Sequence, residues 1–131
     1  MTRPRILLAD DHVPFLERVT ALLQSDFDIV GCVNNGTDLV AGSARLQPDV
    51  VITDITMPGL TGIEAAHEIR TTGSKAKFIF LSVHEQPAFV RACMAEGAFG
   101  YVVKRRLALD LLLAIDETLA GRQFISPSIS R

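Results

Sequence analysis

Four short apolar runs in this chain each end on a polar residue. Ile6-Leu7-Leu8-Ala9 runs into Asp10-Asp11, Val50-Val51-Ile52-Thr53 into Asp54, Phe78-Ile79-Phe80-Leu81 into Ser82, and Tyr101-Val102-Val103 into Lys104. Runs of this length suit strands buried on both faces, the condition of a parallel sheet. Parallel strands share one carboxyl edge, where open α/β sheets gather their ligands. Three carboxylates, a hydroxyl and an ammonium would then converge.

Segments of helical period separate the runs. Phe15, Leu16, Val19, Leu22 and Leu23 form one apolar face, with Pro14 suited to the first turn of its helix. Residues 29–33 read as a further strand, and Leu39, Val40, Ser43 and Leu46 mark a second helix that Gly42 should weaken. After Asp54, Met57-Pro58-Gly59 and Gly62 supply turn residues before a third helix over about 63–72. Pro87 opens a fourth helix with Phe89, Val90, Cys93 and Met94 facing the core, and Gly97 is placed to end it. The last helix, about 108–121, buries Leu111, Leu112, Ile115 and Leu119. A second stripe, Leu109, Leu113 and Ala120, is either wider core or a partner surface. Five strands alternating with five helices predict an α/β fold, a doubly wound parallel (βα)5 sheet of order 2-1-3-4-5 with right-handed crossovers. The domain is expected to span 1–121, with 122–131 a tail or the start of a linker.

With 131 residues, the chain is one domain able to bury about 70% of its unfolded surface. A net charge of -2 and a single dense basic run, Lys104-Arg105-Arg106, argue against direct DNA binding. The basic start, Met1-Thr2-Arg3-Pro4-Arg5, leads into an apolar run too short for a signal peptide or membrane span, so a cytoplasmic protein without membrane contact is expected. Cys32 and Cys93 read as buried small hydrophobes.

Three carboxylates about 5 Å apart would repel by roughly 3 kcal/mol per pair at an effective dielectric near 20, so a divalent cation is needed to offset them. Mg²⁺ suits an all-oxygen site. Asp11 and Asp54 would ligate it directly, Asp10 partly through water, and the Thr56 backbone carbonyl would add a ligand. Asp54, ending the central strand, is the candidate nucleophile, because an aspartate can form an acyl phosphate. Lys104 would stabilise the equatorial oxygens in transfer, and Ser82 would donate its hydroxyl to the attached phosphoryl group. The added charge should draw both inward. His12, His67 and His84 read as loop and helix-surface residues, and neither a Ser-His-Asp arrangement nor a phosphate-cradling glycine loop is visible.

Leu8-Ala9-Asp10-Asp11-His12, Asp54-Ile55-Thr56-Met57-Pro58-Gly59, Leu81-Ser82-Val83-His84 and the run from Gly97 through Tyr101 to Lys104 together resemble the receiver domain of two-component response regulators. His12, Ala98-Phe99-Gly100-Tyr101 and Phe124-Ile125-Ser126-Pro127 look most like the NarL/FixJ (LuxR-type) subfamily, whose receivers usually precede a helix-turn-helix DNA-binding domain. The resemblance implies a CheY-like, flavodoxin-like fold in which Asp54 accepts phosphate from a sensor histidine kinase, with Mg²⁺ at the site. It also implies that Tyr101 is a switch aromatic turning inward when Ser82 engages the phosphoryl group. Arg105 stands where many receivers have proline, and Thr56 and Val83 line the approach to Asp54.

The expected function is a phosphorylation switch whose only chemistry is transfer to Asp54 and hydrolysis from it. DNA would be reached only through a separate C-terminal domain, and a phosphorylation-dependent homodimer is a further partner expectation. The alternatives are a stand-alone receiver and a protein-interaction domain that is not phosphorylated. A Mg²⁺-dependent phosphatase would need an acid or base two residues after the nucleophile, where Thr56 stands.

Overall fold

In the computed structural model, which describes residues 3–129, strand and helix alternate as the apolar runs require. The strands are β1 Arg5–Ala9, β2 Asp28–Val33, β3 Val50–Thr53, β4 Lys77–Ser82, β5 Gly100–Val103 and β6 Phe124–Ile125. The helices are α1 Val13–Leu23, α2 Gly36–Leu46, α3 Gly62–Thr71, α4 Pro87–Ala95 and α5 Leu107–Leu119, the last preceded by a 3₁₀ turn, Lys104–Arg106. Neighbouring strands are parallel in the order β2-β1-β3-β4-β5-β6. The flavodoxin-like order 2-1-3-4-5 therefore holds, with a sixth strand added at one edge.

Alternate strand residues face opposite sides of the sheet, so the core has two halves. Leu7, Val51, Phe78, Phe80 and Tyr101 pack under α2, α3 and α4 against Leu39, Ile69, Val90 and Cys93. Ile6, Leu8, Val50, Ile52 and Ile79 pack under α1 and α5 against Leu16, Val19, Leu23, Leu111 and Ile115. Each fully buried Leu, Ile or Phe contributes about 1.5–3 kcal/mol. A one-residue slip would turn both halves inside out, so burial pins the register, and the register places the strand ends.

The helix starts follow local chemistry. The Asn35 side chain accepts the Asp38 N–H at 2.8 Å at the start of α2. Thr61 and Glu64 form a reciprocal capping box on α3, with bonds of 3.1 and 2.9 Å. Pro14 and Pro87 sit in the first turns of α1 and α4, and Gly97, with φ of +90°, ends α4 as expected. Gly62 does more than turn the chain: a Cβ there would lie 1.9 Å from the Asp54 carbonyl oxygen, so only glycine lets α3 start against the backbone of Asp54. Gly42 does not interrupt α2, and a Cβ there would meet Leu7 at an ordinary contact distance of 3.6 Å.

Four expectations change. The stretch after Gly121, expected to be tail or linker, contains β6: Phe124 N–H donates to the Phe99 carbonyl at 2.8 Å and Ser126 N–H to the Tyr101 carbonyl at 2.9 Å. Two strand residues ended by Pro127 are too few to show a period, yet the free edge of β5 takes them. Ile129 is buried in the same apolar cluster as Tyr101, so packing continues well past the expected boundary at 121. Leu119, expected in the core, is 38% exposed near the end of α5, and Leu109 and Leu113 are 66% and 55% exposed, which makes that stripe surface. Cys32 is exposed on the edge strand β2, whereas Cys93 is buried, and burial pushes its thiol up to about 12. Residues 1–2 of the basic start and 130–131 of the expected tail lie outside the described residues. No helix among the described residues is long and apolar enough to cross a membrane.

Candidate functional site

Strand pairing assembles the site. Ala9 pairs with Thr53 across β1 and β3, and Ser82 with Val103 across β4 and β5. Asp10 and Asp54 therefore leave the sheet side by side, at the switch point where the chain crosses from one half of the fold to the other. Their backbones are fixed there: Asp54 N–H donates to the Ala9 carbonyl at 3.0 Å and Asp10 N–H to the Val33 carbonyl at 3.1 Å.

Asp10, Asp11 and Asp54 each offer a carboxylate oxygen, and these oxygens lie within 4.8 Å of one another. Asp10 is 3% exposed and Asp54 9%, while Asp11 is open to solvent. Lys104 bridges the two buried acids, with Nζ 2.6 Å from Asp10 Oδ2 and 3.1 Å from Asp54 Oδ2. The other oxygens are held by backbone, since the His12 N–H donates to Asp10 Oδ1 at 2.9 Å and the Ile55 N–H to Asp54 Oδ1 at 2.7 Å. The Phe15 ring lies 4.5 Å from Nζ and steadies the ammonium from below.

Burial raises the Asp54 carboxyl above its ordinary range, an effect that the Lys104 ammonium reduces without cancelling. Lys104 itself moves upward: burial favours its neutral form, but its bonds to Asp10 and Asp54 outweigh that. One ammonium against three carboxylates leaves an excess of two negative charges. Hard oxygen donors in such excess fit Mg²⁺.

Ser82 is fully buried at the end of β4, its Oγ accepting the His84 N–H at 3.1 Å. Tyr101 is also fully buried, its hydroxyl donating to the His84 carbonyl at 2.7 Å, and burial pushes the phenol up to about 12. Ser82 and Tyr101 thus meet at the backbone of His84, whose ring stacks on Phe89 at 4.0 Å. Thr56 and Val83 are exposed on the loops beside Asp54. The structure unites Asp10, Asp11, Asp54 and Lys104 directly and sets Ser82 and Tyr101 on the adjoining strands β4 and β5, both bonded to the backbone of His84.

Residues 6–116 match the response regulator receiver domain family. The chain belongs to that family. The receiver is 34% identical over 126 residues to the transcriptional regulatory protein DesR of Bacillus subtilis, covering 95% of this chain and 62% of the relative. To the response regulator GacA of Pseudomonas aeruginosa it is 31% identical, over 97% of this chain and 60% of the relative. It therefore spans about 60% of the length of these curated relatives. Among solved structures, a LuxR-family two-component response regulator from Aurantimonas superposes with a TM-score of 0.92 at 32% identity, over 98% of this chain and 93% of that one. The isolated receiver domain of RcsB from Salmonella enterica, solved with phosphomimetic BeF3-, gives 0.90 at 27% identity over 99% and 98%.

Three contacts were not legible beforehand. Phe15 reads only as core, although its ring also underlies Lys104. Arg105 forms a two-pronged ion pair with Glu85, at 2.8 and 3.0 Å, that joins the loops after β4 and β5. Arg106 and Asp110, four apart, pair at the start of α5, a spacing visible in sequence, but their third partner, Ser126, is not.

Proposed function

We propose that the receiver is a phosphorylation switch in which Asp54 accepts a phosphoryl group from a phosphohistidine of a sensor histidine kinase. The observation that carries this reading is the meeting of Asp54 with Asp10, Asp11 and Lys104 at the carboxyl end of the central strand. A carboxylate oxygen of Asp54 attacks phosphorus, the P–N bond breaks, and the freed imidazole takes a proton from solvent. Asp10, Asp11, Asp54 and the Thr56 carbonyl would hold Mg²⁺, which when bound offsets the excess negative charge and draws in the phosphoryl oxygens. Lys104 already faces the accepting carboxylate and exchanges part of its contact with Asp10 and Asp54 for the new oxygens. Ser82 turns its hydroxyl from the His84 N–H toward the phosphoryl group, and Tyr101, tied to the same residue, registers that movement. Hydrolysis from Asp54 resets the switch, so the chain turns over no separate substrate.

The names of the relatives support a transcriptional output, reached through a DNA-binding domain outside this chain. Exposed Leu109 and Leu113 support a homodimer formed on phosphorylation. The cytoplasm, where a sensor kinase presents its phosphohistidine, is the compartment this reading requires.

The test is to incubate the protein with acetyl phosphate and Mg²⁺, trap the acyl phosphate by borohydride reduction, and map the product by peptide mass spectrometry. Conversion of residue 54 alone to homoserine is the expected result. Conversion at Asp10 or Asp11, or none at all, would overturn the assignment.

A further inference from the structure

We propose that a buried clip, Arg106–Asp110–Ser126–Val103, couples the phosphorylation state of Asp54 to the docking of residues 122–129 on the sheet. This rests on the phosphoacceptor reading of Asp54 and extends it to a segment that reading leaves unused.

In the clip the Asp110 carboxylate and the Ser126 hydroxyl are both hydrogen-bonded within the chain. Asp110, 2% exposed, accepts from Arg106 Nε at 2.7 Å and Nη2 at 3.2 Å, and from Ser126 Oγ at 2.7 Å. The Ser126 hydroxyl, having donated its proton to Asp110, accepts the Val103 N–H at 3.0 Å. Its own N–H goes to the Tyr101 carbonyl at 2.9 Å. Ser126 thus holds the backbone on either side of Val102, at the switch aromatic and at the residue before Lys104.

Lys104 and Arg106 are the two ends of one 3₁₀ turn. Lys104 belongs to the phosphoacceptor site and Arg106 to the clip, so any shift of the Lys104 backbone reaches Arg106 within the same turn. The apolar side of the segment reports on the same strand, because Ile125 and Ile129 pack in the cluster that holds Tyr101 and Val103.

A buried ion pair is poor value as a stabiliser, since desolvation offsets most of its Coulombic gain. What it supplies is geometry: a two-residue strand, marginal alone, is fixed to one register on β5. A phosphoryl group on Asp54 has to fit where Lys104 Nζ now stands 3.1 Å from Asp54 Oδ2. Lys104 moves to accommodate it, the turn follows, and the Val103–Ser126 bond lengthens. By thermodynamic reciprocity, a segment released by other means alters phosphoryl uptake.

Hydrogen exchange read by mass spectrometry on the peptide spanning 122–129, with and without acetyl phosphate and Mg²⁺, tests this, intact mass being recorded on the same samples. Phosphorylated wild type should exchange there about tenfold faster, the factor expected for one lost hydrogen bond of ordinary strength. Ser126→Ala should exchange fast in both states and still take up one phosphoryl group. Should Ser126→Ala fail to fold, Asp110→Asn, which keeps an acceptor oxygen for Ser126 but loses the charge, is expected to lie between the two. Phosphoryl uptake with exchange at 122–129 unchanged or slowed overturns the coupling and leaves Asp54 as phosphoacceptor. No uptake under any condition overturns both.

Discussion

Two acidic networks meet at the short turn Lys104–Arg106, and they are balanced differently. At one end Lys104 faces Asp10, Asp11 and Asp54, three carboxylates to one ammonium. At the other Arg106 faces Asp110 alone, and a serine hydroxyl completes the shell. The titration directions differ in the same sense. Burial leaves the Asp54 carboxyl above its ordinary range in spite of Lys104, whereas at Asp110 burial acts in the same direction but is overcome by the bonds from Arg106 and Ser126, so that carboxyl lies below it. The under-compensated network stores a demand for positive charge and is suited to chemistry. The satisfied one asks for nothing and is suited to holding the chain.

The largest effect expected from disturbing that contrast comes from Lys104→Ala. Removing one partner of a buried ion pair costs about 3–5 kcal/mol, and the value should fall at the low end because Asp11 is open to solvent. Urea melts should show this loss in metal-free buffer and recover much of it with Mg²⁺, which substitutes for the missing ammonium. Asp110→Ala should cost less, about 1–3 kcal/mol for the partners left unsatisfied, and Mg²⁺ should restore none of it. If Mg²⁺ rescued both variants alike, the two networks would not differ in the way described.

The smallest effect is one of sign. The depressed Asp110 carboxyl contributes stability that is fully present above its ordinary value of 3.8 and is lost as pH falls through its folded value. Asp110→Asn should therefore lower stability at neutral pH and lose that disadvantage in acid. The raised Asp54 carboxyl works in reverse, its cost being present above the folded value and gone below 3.8. In metal-free buffer Asp54→Asn should raise stability at neutral pH, and the gain should vanish in acid. Melting temperatures across a pH series for the two variants would reveal curves that converge from opposite sides.

Much of this was legible in the sequence because buried parallel strands write themselves as unbroken apolar runs. The ends at Asp10, Asp54, Ser82 and Lys104 follow from those runs, and so does the sheet order. The sixth strand was not legible, since two residues carry no period and their pairing depends on an edge that exists only after folding. Period alone places Leu119 in the core, but it is the last residue of α5 and is 38% exposed. Cys32 failed for a related reason: an edge strand lacks the second neighbour that would bury it. Within the site, the acids could be listed from their positions, but the bridge from Lys104 to both Asp10 and Asp54 depends on side-chain reach across two strands. Ser126 could not be found at all, because a serine in an aperiodic stretch looks the same whether it is solvated or clamped on a buried carboxylate.

On the proposed reading, the acid-rich network does the chemistry and the balanced one holds the chain. Intact mass of Asp54→Asn and Asp110→Asn, each incubated beside wild type with acetyl phosphate and Mg²⁺, tests it most directly. One added phosphoryl group is expected on wild type and on Asp110→Asn, and none on Asp54→Asn. Uptake by Asp54→Asn at the wild-type level, or its loss from a folded Asp110→Asn, would contradict it.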